Sequence, residues 1–105
     1  MNASEFENAM LALHTLRNKE LEGKRPAYTQ QSKDVLYNFK TIAQLTGLKP
    51  LQVLNVYKTK HDMALNTYIN SGLEAEPIAT RCADLINYIE LAYALILEEQ
   101  ATESN

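Results

Sequence analysis

The feature that most constrains this chain is an apolar run near its carboxyl end. Between Leu85 and Leu97, eleven of thirteen residues are apolar, the exceptions being Asn87 and Glu90. A surface helix needs only one apolar stripe, so a helix of this composition must be covered around most of its circumference. Three partner helices cover part of it, and a second copy of the chain would cover the rest. The run therefore predicts a homo-oligomer, a dimer packed along this helix. The alternative is a monomer with this helix at the bundle centre.

The rest of the chain is helical in pattern as well. Apolar residues recur at helical spacing in four segments, and glycine or proline residues separate these segments. Ser4 and Glu7 have the spacing of a capping box, and Gly23 is a typical helix stop. The sequence therefore predicts an all-α four-helix bundle. Its predicted helices span residues 5–22, 33–46, 50–70 and 77–100.

Length and composition set the domain organisation. With 105 residues the chain has the size of one domain, which we predict over 1–101, followed by a frayed tail over 102–105. The polar segment 23–32 is predicted to be a loop, longer than most helix–helix connections. The single cysteine is typical of a reducing compartment and excludes an internal disulfide. No apolar run reaches the roughly 18 residues of a membrane span. We therefore expect a cytoplasmic protein without a membrane partner.

Charge is distributed unevenly along the chain. Residues 17–60 carry a formal charge of +6, whereas residues 61–105 carry −7, and the whole chain carries −3. Such an asymmetry indicates either an anion-binding face or two parts of a bundle that attract each other. The sequence leaves both interpretations open.

Residues 41–56 have the pattern of a helix-turn-helix unit. Ala43 is the small residue at the helix contact, Gly47 provides the turn, and the predicted buried positions that follow are Leu48, Val53 and Val56. DNA binding is therefore one hypothesis. It is weakened because the second helix offers few groups for bases or phosphates. These groups are Lys49, Gln52 and Asn55.

A second alternative is a Mg²⁺-dependent nucleotide pyrophosphohydrolase. All-α enzymes of the MazG type hold Mg²⁺ on acidic pairs at i, i+3, which place both carboxylates on one helix face. The chain contains neither Glu-x-x-Glu nor Glu-x-x-Asp. We assign no catalytic residue and expect no metal site or cofactor. Mg²⁺ enters only with the enzyme alternative, in a smaller site completed by substrate phosphates.

Several polar residues lie on or beside apolar helix faces. His61 falls on the apolar stripe of the third predicted helix, either as a ligand-binding residue or as a buried histidine satisfied by a neighbouring group. Arg81 and Asp84 have the i, i+3 spacing of a salt bridge. Asp84 and Asn87 adjoin the apolar run, where a polar group normally needs a partner, either a ligand or an interface.

An ordered set of motifs connects the chain to a known group. These motifs are Tyr28-Thr29-Gln30, Asp34 to Lys40, Gly47 to Val53, Val56-Tyr57, Lys60-His61, Glu76-Pro77-Ile78, Arg81, Asp84 and Asn87-Tyr88. In this set the chain resembles a family of small phage and prophage proteins of Gram-positive bacteria. It is also similar in outline to the all-α "nucleotide modification associated" and MazG-like domains. The resemblance implies a phage origin, and hence the host cytoplasm, with a link to nucleotides.

The chain departs from the family pattern in the 23–32 segment and directly after it. Arg25, Ala27, Gln31 and Lys33 replace the residues frequent there, and the acidic character of the segment is lost. We therefore expect a non-catalytic phage accessory protein that binds a host or phage protein, or a nucleotide. The candidate ligand-binding residues are Tyr28, Asn38, Lys40, Lys60, His61, Arg81, Asp84 and Asn87.

Overall fold

The computed structural model describes residues 1–29 and 33–103, without the side chains of residues 25 and 27–29. The described chain forms four α-helices and no strand, which confirms the predicted all-α four-helix architecture. The helices are α1 (Ala3–Thr29), α2 (Tyr37–Thr46), α3 (Pro50–Ser71) and α4 (Ile78–Glu103). Among the described residues, no helix has the length and hydropathy needed to cross a lipid bilayer.

The predicted end of the first helix at residue 22 is wrong, because α1 continues through Gly23 and Pro26 to Thr29. In the described chain, a left-handed backbone occurs at Gly47 and Gly72 but not at Gly23. Pro26 removes one helical hydrogen bond, a local penalty that tertiary contacts can override. Such a contact is present, since Lys24 forms an ion pair with α4. Of the predicted loop, residues 23–29 are helical, and residues 30–32 lie outside the described part.

Capping groups explain the other shifted helix ends. At the start of α1, the side-chain oxygen of Asn2, rather than Ser4, accepts a hydrogen bond from the N–H of Glu5 at 2.8 Å. Asp34 accepts from the N–H of Leu36 at 2.9 Å, and the turn that it forms delays α2 to Tyr37, four residues after the predicted start. At the carboxyl end α4 is longer than predicted and includes two residues of the predicted tail, whose other two lie outside the described residues.

The core lies between α2, α3 and α4. Its largest fully buried hydrophobic side chains are Leu36, Phe39 and Leu54, which pack with Leu91 and Leu95 of α4. α4 packs against both α1 and α3, so one side of this helix is covered. Its opposite side is not: among its apolar residues, Ile89, Tyr93, Ile96 and Leu97 are exposed.

The α2–α3 connection matches the helix-turn-helix pattern only in part. Ala43 and Val53 are buried, and Gly47 is left-handed with φ of 73°, as the pattern predicts. Leu48 and Val56, predicted to be buried, are 44% and 64% exposed. Val56 lies on α3 outside the buried side, which runs through Val53, Leu54 and His61, and Leu48 lies in the turn before α3 begins.

Candidate functional site

A cavity of about 450 Å³ opens where α1, α3 and α4 meet. This volume is in the range of small-molecule binding sites, roughly 300–1,000 Å³. We call it the polar cavity, because most of its lining residues are polar or charged. It is lined by Lys24, Val56, Tyr57, Lys60, His61, Glu76, Arg81, Asp84 and Tyr88.

Asp84 is the most buried charged residue of the polar cavity, with 2% of the residue exposed. A buried carboxylate needs compensation, which here comes from α1: Nζ of Lys24 lies 2.5 Å from Oδ1. The other carboxylate oxygen, Oδ2, lies 3.5 Å from Nδ1 of His61 on α3. One buried side chain of α4 therefore connects three helices.

The predicted salt bridge between Arg81 and Asp84 is absent from the ion pairs of the described residues. The guanidinium of Arg81 instead lies 3.3 Å from Nδ1 of His61 and 3.8 Å from a carboxylate oxygen of Glu76. A guanidinium only donates hydrogen bonds, so an unprotonated Nδ1 of His61 accepts from Arg81, whereas a protonated Nδ1 donates to Asp84 instead. Arg81 thus closes one side of the cavity.

The sequence predicts that His61 is either a ligand-binding residue or a buried histidine satisfied by a neighbouring group. Its position is consistent with both, because it is buried beside polar partners and also lines the polar cavity. Burial lowers its pKa below the ordinary value of 6.5. The carboxylate of Asp84 opposes this shift, whereas the positive charges of Lys24, Arg81 and Lys60 add to it. Because its pKa lies below 6.5, His61 is mostly neutral at pH 7.

The lining is positively charged overall. Among the described lining residues, three cationic side chains (Lys24, Lys60 and Arg81) outnumber two carboxylates, Glu76 and Asp84. Lys24 and Arg81 already have acidic partners, but exposed Lys60 forms no ion pair with a described residue. A cavity with an uncommitted ammonium and a surplus of positive charge favours an anionic ligand.

Two tyrosines give the cavity aromatic walls in fixed orientations. The ring of Tyr88 stacks at a tilt on His61, with 5.3 Å between the ring centroids. The ring of Tyr57 meets the core residue Phe39 edge-on, with centroids 5.8 Å apart. These contacts hold both rings in place, so a ligand would meet preformed surfaces.

The structure brings together four of the eight predicted site residues: Lys60, His61, Arg81 and Asp84. Asn87 is buried but bonds to the carbonyl of Arg17 at 3.2 Å, outside the lining. Half-buried Asn38 lies on α2, and neither it nor Lys40 lines the cavity. The side chain of Tyr28 lies outside the described part.

Lys40 belongs to a separate ionic cluster. Its ammonium lies 2.6 Å from Asp34 and 2.7 Å from Glu98, so it joins the α2 start to α4. The hydrogen bond from Lys40, with that from the Leu36 N–H, lowers the pKa of Asp34. Burial opposes charging of Lys40, but the bonds to both carboxylates raise its pKa overall. Lys40 and Glu98 line a different cavity, of about 360 Å³, between α2, α3 and α4.

Sequence reasoning missed four polar or aromatic members of the site. These are Lys24, Tyr57, Glu76 and Tyr88. Tyr57 and Tyr88 could have been found, because each lies four residues from another site residue on the same helix and so on the same face: Tyr57 from His61, and Tyr88 from Asp84. Lys24 lies in the segment predicted to be a loop, and local sequence gives no signal for its contact with Asp84, 60 residues away.

Comparison of the chain with protein-family models, with curated proteins and with solved structures finds no match. Within the described ranges, no group of three or more His, Cys, Asp and Glu side chains is placed to hold a metal ion.

Proposed function

We propose that this protein is a non-catalytic accessory protein that binds a phosphorylated small molecule, such as a nucleotide, in the polar cavity. The observation that carries the proposal is the surplus of cationic side chains there, among them Lys60, which forms no ion pair with a described residue. Hydrogen bonds from lysine and arginine to phosphate are charge-assisted and about twice as strong as neutral ones. The resemblance to phage proteins with a link to nucleotides points in the same direction.

The two kinds of cation suit different parts of a phosphate group. Arg81 presents a planar fork of donors, and Lys60 supplies a flexible point charge from the opposite helix. The ion pair with Asp84 fixes the position of the Lys24 ammonium group and compensates part of its positive charge. His61 lines the same cavity, and its ring can donate or accept one more hydrogen bond there. Together these groups form a cradle of donors around the cavity.

Titration calorimetry with AMP and with inorganic pyrophosphate tests this function. We expect saturable binding to the wild-type chain, and a gain of about 2.7 kcal/mol in unfolding free energy at a hundredfold excess over Kd. Lys60→Met should weaken binding about tenfold or more, because a charge-assisted bond contributes roughly 1.5–3 kcal/mol. Lys19→Met, at an exposed lysine of α1, is the matched control.

Two results would count against the proposal. If neither AMP nor pyrophosphate binds, the proposed phosphate-binding function is wrong. Release of pyrophosphate from a nucleoside triphosphate with Mg²⁺, lost in Asp84→Ala, would replace the non-catalytic function by the enzymatic alternative.

We further propose that the protein self-associates along α4. The exposed side of this helix carries Ile89, Tyr93 and Ile96, which with half-buried Ile86 repeat at intervals of three and four residues. This is the spacing with which two helices pack in a coiled coil. In a twofold dimer each copy would offer the same stripe to the other.

Charge beside the stripe is compatible with a second copy as its occupant. Glu90 is the acidic residue within the 85–97 run, and Arg17 of α1 forms an ion pair with it. In a dimer packed along α4, the Glu90 carboxylate of each copy would already be paired with Arg17, so the two carboxylates would not repel each other strongly. This neutralised edge favours a second copy over a basic partner.

A further inference from the structure

A second, smaller cavity adjoins the polar cavity. Its volume is about 190 Å³, and it lies between α3, the 73–76 segment and the start of α4. We call it the apolar chamber, since hydrocarbon side chains form half of its lining. It is lined by Ala64, Thr67, Leu73, Glu74, Ala75, Glu76, Ile78 and Arg81.

Arg81 and Glu76 line both spaces and so mark the junction between them. The apolar chamber alone is smaller than a typical ligand pocket. Its size and lining instead suit one compact part of a ligand whose remainder lies in the polar cavity. The cationic residues Lys24 and Lys60 line only the polar cavity, so the two ends of such a ligand must differ in charge.

We propose that the ligand is a nucleoside phosphate, bound with its phosphate in the polar cavity and its base in the apolar chamber. This inference rests on the proposed function, which concerns the phosphate group, and adds that the rest of the ligand is a nucleoside whose base occupies the apolar chamber. A nucleobase is flat and largely uncharged, and a guanidinium such as that of Arg81 stacks on aromatic faces.

Acceptors beside the chamber favour a base over an acyl chain. The carboxylate of Glu76 has only a long contact of 3.8 Å with Arg81 and is half-exposed, so it can accept another hydrogen bond. Glu74 accepts from the N–H of Ile78 at 2.8 Å through one of its two carboxylate oxygens. A base with an exocyclic amino group would give Glu76 a donor, whereas an alkyl chain would leave it without one.

The test is titration calorimetry of the full chain with AMP, adenosine and inorganic phosphate, together with the variant Ala64→Leu. We expect AMP to bind at least about tenfold more tightly than phosphate, because its base would bury apolar surface in the chamber and lie against the guanidinium of Arg81. Ala64→Leu fills the chamber and should abolish that advantage while phosphate affinity is unchanged. Ala12→Leu, at an exposed position of α1, is the control.

Ala75→Phe, in the exposed 73–76 segment, repeats the test at a site where folding tolerates a larger side chain. If AMP binds no more tightly than phosphate, or if both chamber variants weaken AMP and phosphate equally, the base is not in the chamber and this inference is overturned. In that case the phosphate-binding function stands. If neither AMP nor phosphate binds to the wild-type chain, the proposed function fails and this inference fails with it.

Discussion

The ammonium group of Lys24 lies 2.5 Å from the carboxylate of Asp84, a residue 60 positions further along the chain. Lys24 is in the last two turns of α1, and Asp84 is in the buried face of α4. The pair therefore joins the carboxyl end of the first helix to the last helix at the edge of the polar cavity. It explains how α1 stays ordered past a glycine and a proline.

Replacing Lys24 by methionine should destabilise the protein by about 2 kcal/mol. The change leaves Asp84 buried without its main counter-charge, and losing one partner of a buried pair costs roughly 3–5 kcal/mol. The expected loss is smaller here because about a third of the Lys24 side chain is exposed, where solvent screens the charge. Urea unfolding at neutral pH measures the change.

The matched control is Lys19→Met on the same helix, which should change stability by less than about 0.5 kcal/mol. The double variant Lys24→Met with Asp84→Asn should lose less than the sum of the single variants, since the two residues are in contact. Strict additivity would show that the ion pair carries no coupling energy.

Two glycine substitutions should have opposite effects on stability. Gly23 lies inside α1, and a Cβ added there meets nothing within 4 Å, so Gly23→Ala should stabilise by about 0.5–1 kcal/mol. Gly47 has φ of 73°, so Gly47→Ala should destabilise by about 1–2 kcal/mol. Thermal unfolding of both variants checks the prediction. A loss of stability in Gly23→Ala would contradict the helical position of Gly23 and would support the sequence prediction that the first helix ends at residue 22.

Much of the fold could be predicted from local sequence, because its signals act over a few residues. Pro50 opens α3, and the left-handed Gly47 and Gly72 end α2 and α3, as their positions in the apolar pattern indicate. The end of α1 could not be predicted in this way. Gly23 and Pro26 are local stop signals, and the contact that overrides them involves Asp84, which is distant in sequence.

The same distinction applies to the candidate site. His61, Arg81 and Asp84 could be predicted because each is a polar residue on an otherwise apolar helix face, and such a residue needs a partner. Which partners they have could not be predicted. Arg81 and Asp84 have salt-bridge spacing, yet Arg81 lies against His61 and Glu76, because α3 and the 73–76 segment offer acceptors on that side.

Stability should fall as pH is lowered from about 6.5, because of His61. Its pKa in the unfolded chain is the ordinary 6.5, and its pKa in the folded chain is lower. Between these values the unfolded state binds a proton that the folded state does not, so unfolding is favoured by up to about 1.4 kcal/mol per pH unit. The loss ends once pH passes below the folded pKa.

The measurement is unfolding free energy between about pH 5 and pH 7.5, in the wild type and in His61→Gln. The glutamine variant should lack this part of the pH dependence, whereas His14→Gln, at an exposed histidine, should retain it. The Asp34–Lys40 pair does not interfere, since the lowered pKa of Asp34 affects stability only below its ordinary 3.8. Equal pH profiles for wild type and His61→Gln would contradict the assignment.

Glutamate substitutions on the outer stripe of α4 should separate the proposed dimer into folded monomers. Ile89 and Tyr93 are 57% and 61% exposed in the single chain, so a charge at either position costs little in the monomer. In a paired stripe the same charge would be buried without a partner, at a cost of several kcal/mol. Sedimentation equilibrium of wild type, Ile89→Glu and Tyr93→Glu over a range of concentrations gives the mass of each.

The control for this stripe is Leu11→Glu, because Leu11 is 65% exposed on α1. We expect the wild type and Leu11→Glu to form dimers and the two α4 variants to remain monomeric with an unchanged helical circular dichroism spectrum. A wild type that stays monomeric at every concentration removes the proposed dimer. The proposed phosphate binding does not depend on this outcome, since neither Ile89 nor Tyr93 lines the polar cavity.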